Sequence, residues 1–165
     1  HGKFRRQRQM CIRDRHSRSI ENIDILPPEL QQVFNTMVIE LDKAIDSCRN
    51  NIGFPPLKLQ NFWININGPG AYHTLHNHQD AMLSGVFYID IPTENMGDLQ
   101  FYRGDEAQYY IPDNLSTYNT ITSTMATYPP KPGMVVIFPS WVKHAVKQNR
   151  SDAERIAISF NYGAK

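Results

Sequence analysis

The sequence predicts a mainly β domain, a jelly roll or small antiparallel barrel with one N-terminal helix packed outside it. Three observations predict it. The 165 residues leave room for one core, not two. One stretch near the start carries apolar residues at helical spacing. After Gly53 the pattern changes to short alternating runs, about eight of them, separated by Gly, Pro and Asn turns. A composition of 41% hydrophobic and 20% charged residues is that of an ordinary globular chain. No apolar run approaches the roughly 18 residues a membrane span needs.

Pro27-Pro28-Glu29 opens the helix, because proline suits the first turn and an acid there complements the helix dipole. Leu30, Val33, Phe34, Met37, Val38, Leu41, Ile45 and Cys48 form one stripe at spacings of three and four. Asn50, Asn51 and Gly53 end it, and Pro55-Pro56 prevent its return. Lys58 to Asn67 alternates next. Leu59, Asn61, Trp63, Asn65 and Asn67 are expected on one face, and Phe62, Ile64 and Ile66 on the other. Gly68-Pro69-Gly70 turns into a strand over Ala71–His78, and a third strand covers Leu83–Ile91. A hairpin turn at Met96-Gly97-Asp98 leads to Leu99–Tyr102. Residues 103–131 form a long polar connection, of the kind that often shapes a binding pocket. Pro132-Gly133 turns into Met134–Phe138, a strand follows around His144, and Arg155–Tyr162 closes the set. Trp63 and Trp141 read as core.

The net charge of +1 is split. Residues 1–18 hold seven Lys/Arg against Asp14 alone, and the remainder carries −5. A basic arm on an acidic body can mark a nucleic-acid tail. However, the run from Arg6 to Arg15 resembles translated sequencing-adapter read-through, so residues 1–16 are expected to be a non-native, disordered basic arm. Without it nothing argues for nucleic-acid binding. Cys11 and Cys48 make neither a disulfide framework nor a zinc cage, and they fit a reducing, cytoplasmic setting. A homodimer is left open.

Histidines carry the chemistry. His76 and His78 are two apart, so on one strand both imidazoles point the same way. With a third histidine brought from far along the chain, His144, such a pair can hold a divalent metal that takes neutral imidazole. His73 has the wrong parity to join His76 and reads as a surface or supporting residue. Arg155 shares a face with Ala157 and Ser159 on the closing strand. A lone inward guanidinium needs an anion, and a carboxylate held bidentately is its natural partner.

These stretches together resemble the iron(II)/2-oxoglutarate-dependent oxygenases of bacteria and phages. The resemblance rests on Trp63–Asn67, His76-Asn77-His78, Leu83–Ile89, Pro132–Trp141 followed by His144, and Glu154–Asn161. It implies a double-stranded β-helix, an Fe(II) centre, and 2-oxoglutarate and O2 as co-substrates of a dioxygenase. By position it implies His76, His78 and His144 as metal ligands and Arg155 as the grip on the distal carboxylate of 2-oxoglutarate. Tyr88 would be a second donor to that carboxylate. The substrate, a small molecule or a macromolecule, is not legible. The expected organisation is the arm over 1–16, a helical segment over 17–57 and the oxygenase domain over 58–165.

Two metal registers compete. The wider superfamily uses a 2-His-1-carboxylate triad with an H-x-D/E motif, and His78-Gln79-Asp80 also reads literally as H-x-D. The reversal before Leu83 must fall within Gln79–Met82, which favours the three-histidine set and puts Asp80 in a turn. Two other function classes stay open. One is a cupin-type metalloenzyme without 2-oxoglutarate, for which the glutamate expected after His78 is absent, Met82 and Leu83 standing there. The other is a non-catalytic jelly-roll binding module.

Overall fold

The computed structural model describes residues 17–20, 23–111, 114–119 and 122–164. The basic arm over 1–16 therefore lies outside the described residues. A helix, α1 (Pro28–Ile52), is preceded by a short strand, β1 (Ser17–Ile20), and followed by eight strands. These are β2 (Leu57–Asn67), β3 (His73–His76), β4 (Leu83–Asp90), β5 (Leu99–Tyr102), β6 (Met125–Tyr128), β7 (Val135–Pro139), β8 (His144–Val146) and β9 (Arg155–Ala164). They form two antiparallel sheets, one ordered β1-β2-β9-β4-β7 and the other β3-β8-β5-β6. The chain crosses repeatedly between the sheets, which is the jelly roll the alternating runs predict.

The proline at the start of α1 sets the first turn without a side-chain cap, and the Pro27 carbonyl accepts from the Leu30 and Gln31 amides. Gly53 ends the helix in the left-handed conformation (φ 83°), where a side chain would be strained. The apolar stripe is buried at Phe34, Leu41 and Ile45. Leu41 and Ile45 pack over the outer face of the five-stranded sheet against Leu57, Leu83, Phe160 and Tyr162, with Met37 and Cys48 at the margin, and Phe34 packs on Phe62. Each such burial stabilises by about 1.5–3 kcal/mol. Leu30 and Val33, expected in the stripe, are exposed. Periodicity marks which face can be buried, not how far along the helix the partner sheet reaches.

Two register shifts alter the expected faces. A shift in β2 between Leu59 and Asn61 turns Leu59 to the helix side, where it packs on the core instead of sharing a face with Trp63. A second shift lies in β3 between His73 and His76. The turn at Met96–Asp98 is not a hairpin either: β4 and β5 lie in different sheets, so it carries the chain across. Trp141, expected in the core, is exposed.

Candidate metal centre

The two sheets enclose a cavity of about 560 Å³, mouth included. Trp63, Asn65 and Asn67 on β2 and Arg155, Ala157 and Ser159 on β9 line it, as their alternation predicts. Asn65 and Asn67 are buried, and Asn65 donates to Ser159 Oγ at 2.9 Å.

From the opposite sheet come His76, at the end of β3, and His144, at the start of β8, paired across the strands. His78 lies two residues beyond β3, where its amide donates to the Ser140 carbonyl at 2.9 Å. One ring nitrogen from each of the three histidines lies within 4.8 Å of the others. His76 Nδ1 donates to the Thr74 carbonyl at 2.7 Å and His144 Nδ1 to the Val142 carbonyl at 2.9 Å. A carbonyl only accepts, so these nitrogens carry a proton, and Nε2 is the nitrogen that the neutral ring offers to a metal. Burial and the neighbouring His76 hold His144 down to about 3, against the opposing pull of the Val142 carbonyl. Burial also lowers His78, although its bond to Asn161 works the other way. Both are therefore neutral at pH 7, the form that ligates. Asp80 sits exposed in the turn after His78 and does not join the group. The donor set is three imidazoles, which suits a first-row divalent ion.

Arg155 is 3% exposed on the same cavity wall. Its Nη1 donates to the Met96 and Gly97 carbonyls at 2.9 and 2.8 Å, and Nη2 donates to Asn67 Oδ1 at 3.1 Å. Nε is buried with no partner, and no carboxylate pairs with the guanidinium among the described residues. Nε is thus uncommitted on the edge it shares with Nη2, the fork that takes a carboxylate side-on. Tyr88 lines the cavity too, 2% exposed, and burial raises its hydroxyl so that it remains a donor.

Sequence reasoning missed several participants. His73 lines the cavity after all, because the β3 shift inserts one residue and restores its parity with His76. Its Nε2 is 3.4 Å from Asn67 Nδ2. Ser84, Ser140 and Asn161, all essentially inaccessible, surround His78. Alternation along β9 with Arg155 was the available signal for Asn161. Among the described residues, none of 103–131 lines the cavity, although that connection is expected to shape a pocket.

A family model described as "Putative 2OG-Fe(II) oxygenase" matches residues 61–161. No curated protein sequence matches the chain. Among solved structures, the chain resembles a prolyl-4-hydroxylase from Pseudomonas putida at TM-score 0.63 and 15% identity, over 90% of this chain and 72% of that one. HygX from Streptomyces hygroscopicus, solved with nickel and 2-oxoglutarate bound, gives 0.63 and 15%, over 92% and 71%. SnoN, a non-heme alpha-ketoglutarate-dependent epimerase from nogalamycin biosynthesis, gives 0.64 and 14%, over 90% of this chain and 61% of SnoN. These likenesses show the fold, a double-stranded β-helix; its strands and the short segment after β3 that holds His78 carry the residues of the site.

Proposed function

Because this chain belongs to the 2OG-Fe(II) oxygenase family, we propose that it is an Fe(II)- and 2-oxoglutarate-dependent dioxygenase that hydroxylates its substrate. One observation supports this above the others. Three convergent imidazoles, two of them held neutral by burial, and an arginine whose buried Nε has no partner line a single cavity. A metal-binding set alone would suit a cupin; the buried guanidinium, held only by neutral acceptors, asks for an anion as well.

In this reading His76, His78 and His144 hold the iron, and Arg155 with Tyr88 grips the distal carboxylate of 2-oxoglutarate. When bound, the pair supplies oxidative chemistry: 2-oxoglutarate and O2 become succinate and CO2, and the second oxygen atom enters a substrate C–H bond. The chain's own share is positional. The Nδ1 bonds fix each ring so that a neutral lone pair faces inward. The Met96 and Gly97 carbonyls pin Nη1, which leaves Nε and Nη2 facing the carboxylate in a fixed plane. Tyr88 stays protonated and adds a third donor. Leu99, Phe138 and Val146 line the cavity with apolar surface and limit water there. The three-histidine set brings no negative charge, so the dianionic oxo acid offsets that of the iron.

The test is succinate release from 2-oxoglutarate under O2, screened over candidate substrates. Release should require Fe(II) and disappear in His144→Ala. Metal binding with no 2-oxoglutarate binding would move the reading to the cupin class.

A further inference from the structure

Two of the three imidazoles are held by their own stretch of chain: the carbonyls that fix His76 and His144 lie two residues before them. His78 is different. It has left the strand, and its Nδ1 meets a side chain from β9, Asn161 Oδ1, at 2.6 Å. Asn161 is 1% exposed.

The surrounding bonds decide where the His78 proton sits. Ser84 Oγ lies 2.7 Å from Asn161 Oδ1, 2.7 Å from Ser140 Oγ and 3.0 Å from His78 Nδ1, and it has one proton to give. Asn161 Nδ2 donates to Asn61 Oδ1 at 2.9 Å, which turns Oδ1 toward the histidine. If the proton sat on Nε2, the Nδ1 lone pair would face the Oδ1 lone pairs at 2.6 Å. With the proton on Nδ1 every bond is paired. Nδ1–H and the Ser84 hydroxyl both donate to Oδ1, the Ser140 hydroxyl donates to Ser84, and the amide donates to Asn61.

We propose that Asn161 is a positioning residue for the metal: its Oδ1 holds His78 in the Nδ1-protonated form and fixes the ring so that Nε2 faces His76 and His144. Ser84, Ser140 and Asn61 fix the amide in turn. The inference rests on the reading of the triad as a metal site. It gives β9 two tasks, since the strand that presents Arg155 to the oxo acid also sets one metal ligand from the same face.

Imidazole-nitrogen NMR on the metal-free wild-type protein reads the tautomer directly. His78 should be protonated on Nδ1; protonation on Nε2 overturns the proposal whatever the variants do. Calorimetric titration with Ni(II), without O2 or 2-oxoglutarate, then measures positioning. Asn161→Leu should weaken Ni(II) by about 10- to 100-fold. Asn161→Asp keeps an acceptor oxygen for Nδ1–H but gives up the donation to Asn61, and it should lose clearly less affinity than the Leu variant. In a His78→Ala background Asn161→Leu should cost nothing further. An Asp variant that falls as far as the Leu variant, or a Leu loss that persists undiminished without His78, would assign the amide to packing alone. Wild type that binds Ni(II) while Asn161→Leu matches it sinks this inference and leaves the metal site standing. Wild type that binds no Ni(II) sinks the metal site itself.

Discussion

Arg155 has five N–H donors and a nearly dry environment. Three of those donors are spent on the Met96 and Gly97 carbonyls and on Asn67, none of which carries a charge. A buried cation held only by neutral acceptors is an expensive arrangement unless an anion completes it. Arg155→Lys keeps the charge and removes the planar fork. It should weaken 2-oxoglutarate by about 10- to 150-fold, roughly 1.5–3 kcal/mol, and leave metal affinity unchanged. Anaerobic titration of 2-oxoglutarate into the Fe(II) protein, followed by its metal-to-ligand absorption, measures the change. Equal affinities in the two proteins would remove Arg155 from the clamp.

At the scale of elements, the turn before β5 matters more than its length suggests. Gly97 has φ 90°, and a Cβ there would run into the Lys147 carbonyl oxygen. The carbonyls of Gly97 and its neighbour Met96 are the two that pin Arg155. Gly97→Ala must move the turn, and with it the guanidinium. The strain should cost about 1–3 kcal/mol of stability. Weakening of 2-oxoglutarate by about tenfold should accompany it, as for one lost charge-assisted bond, while Ni(II) affinity stays within about twofold. Loss of both affinities together would instead indicate general collapse of the cavity, and the turn would have no separate role in the clamp.

For the whole molecule, the five-stranded sheet has an edge to protect. β1 pairs with β2 from Ser17↔Asn67 to Ile20↔Ile64, which covers the end of β2 that carries Asn65 and Asn67. A chain beginning at Ser17 should melt within about a degree or two of the full sequence, because residues 1–16 lack periodic apolar positions and oppose the body in charge. A chain beginning at Ile23 loses β1 and opens the β2 edge. It should melt several degrees lower, at about 2–4 °C per kcal/mol for a protein of this size. Thermal unfolding of the three lengths separates the outcomes. A loss already present in the Ser17 chain would make the arm part of the fold, and no loss in the Ile23 chain would make β1 dispensable.

Sequence by itself determined whatever depends on short-range spacing. The helix and its stop at Gly53 follow from a 3.6-residue period and the turn residues that end it. The cavity faces of β2 and β9 follow from alternation, because the pleat repeats every two residues. The three histidines and Arg155 were legible as residue types at telling distances, and the reversal before Leu83 already placed Asp80 in a turn. Only the tertiary structure decided the rest. Two one-residue shifts turned Leu59 toward the helix and His73 into the cavity, and nothing in the local composition of either strand marks a bulge. β1 pairs with a strand that begins beyond the helix, so its partner is set by the sheet and not by its own four residues. Asn161 meets His78 across 83 positions of chain, a contact that exists because β9 closes the sheet beside β4 and the turn after β3. Periodicity is a property of neighbours along the chain, whereas a hydrogen-bonded metal ligand is a property of neighbours across it.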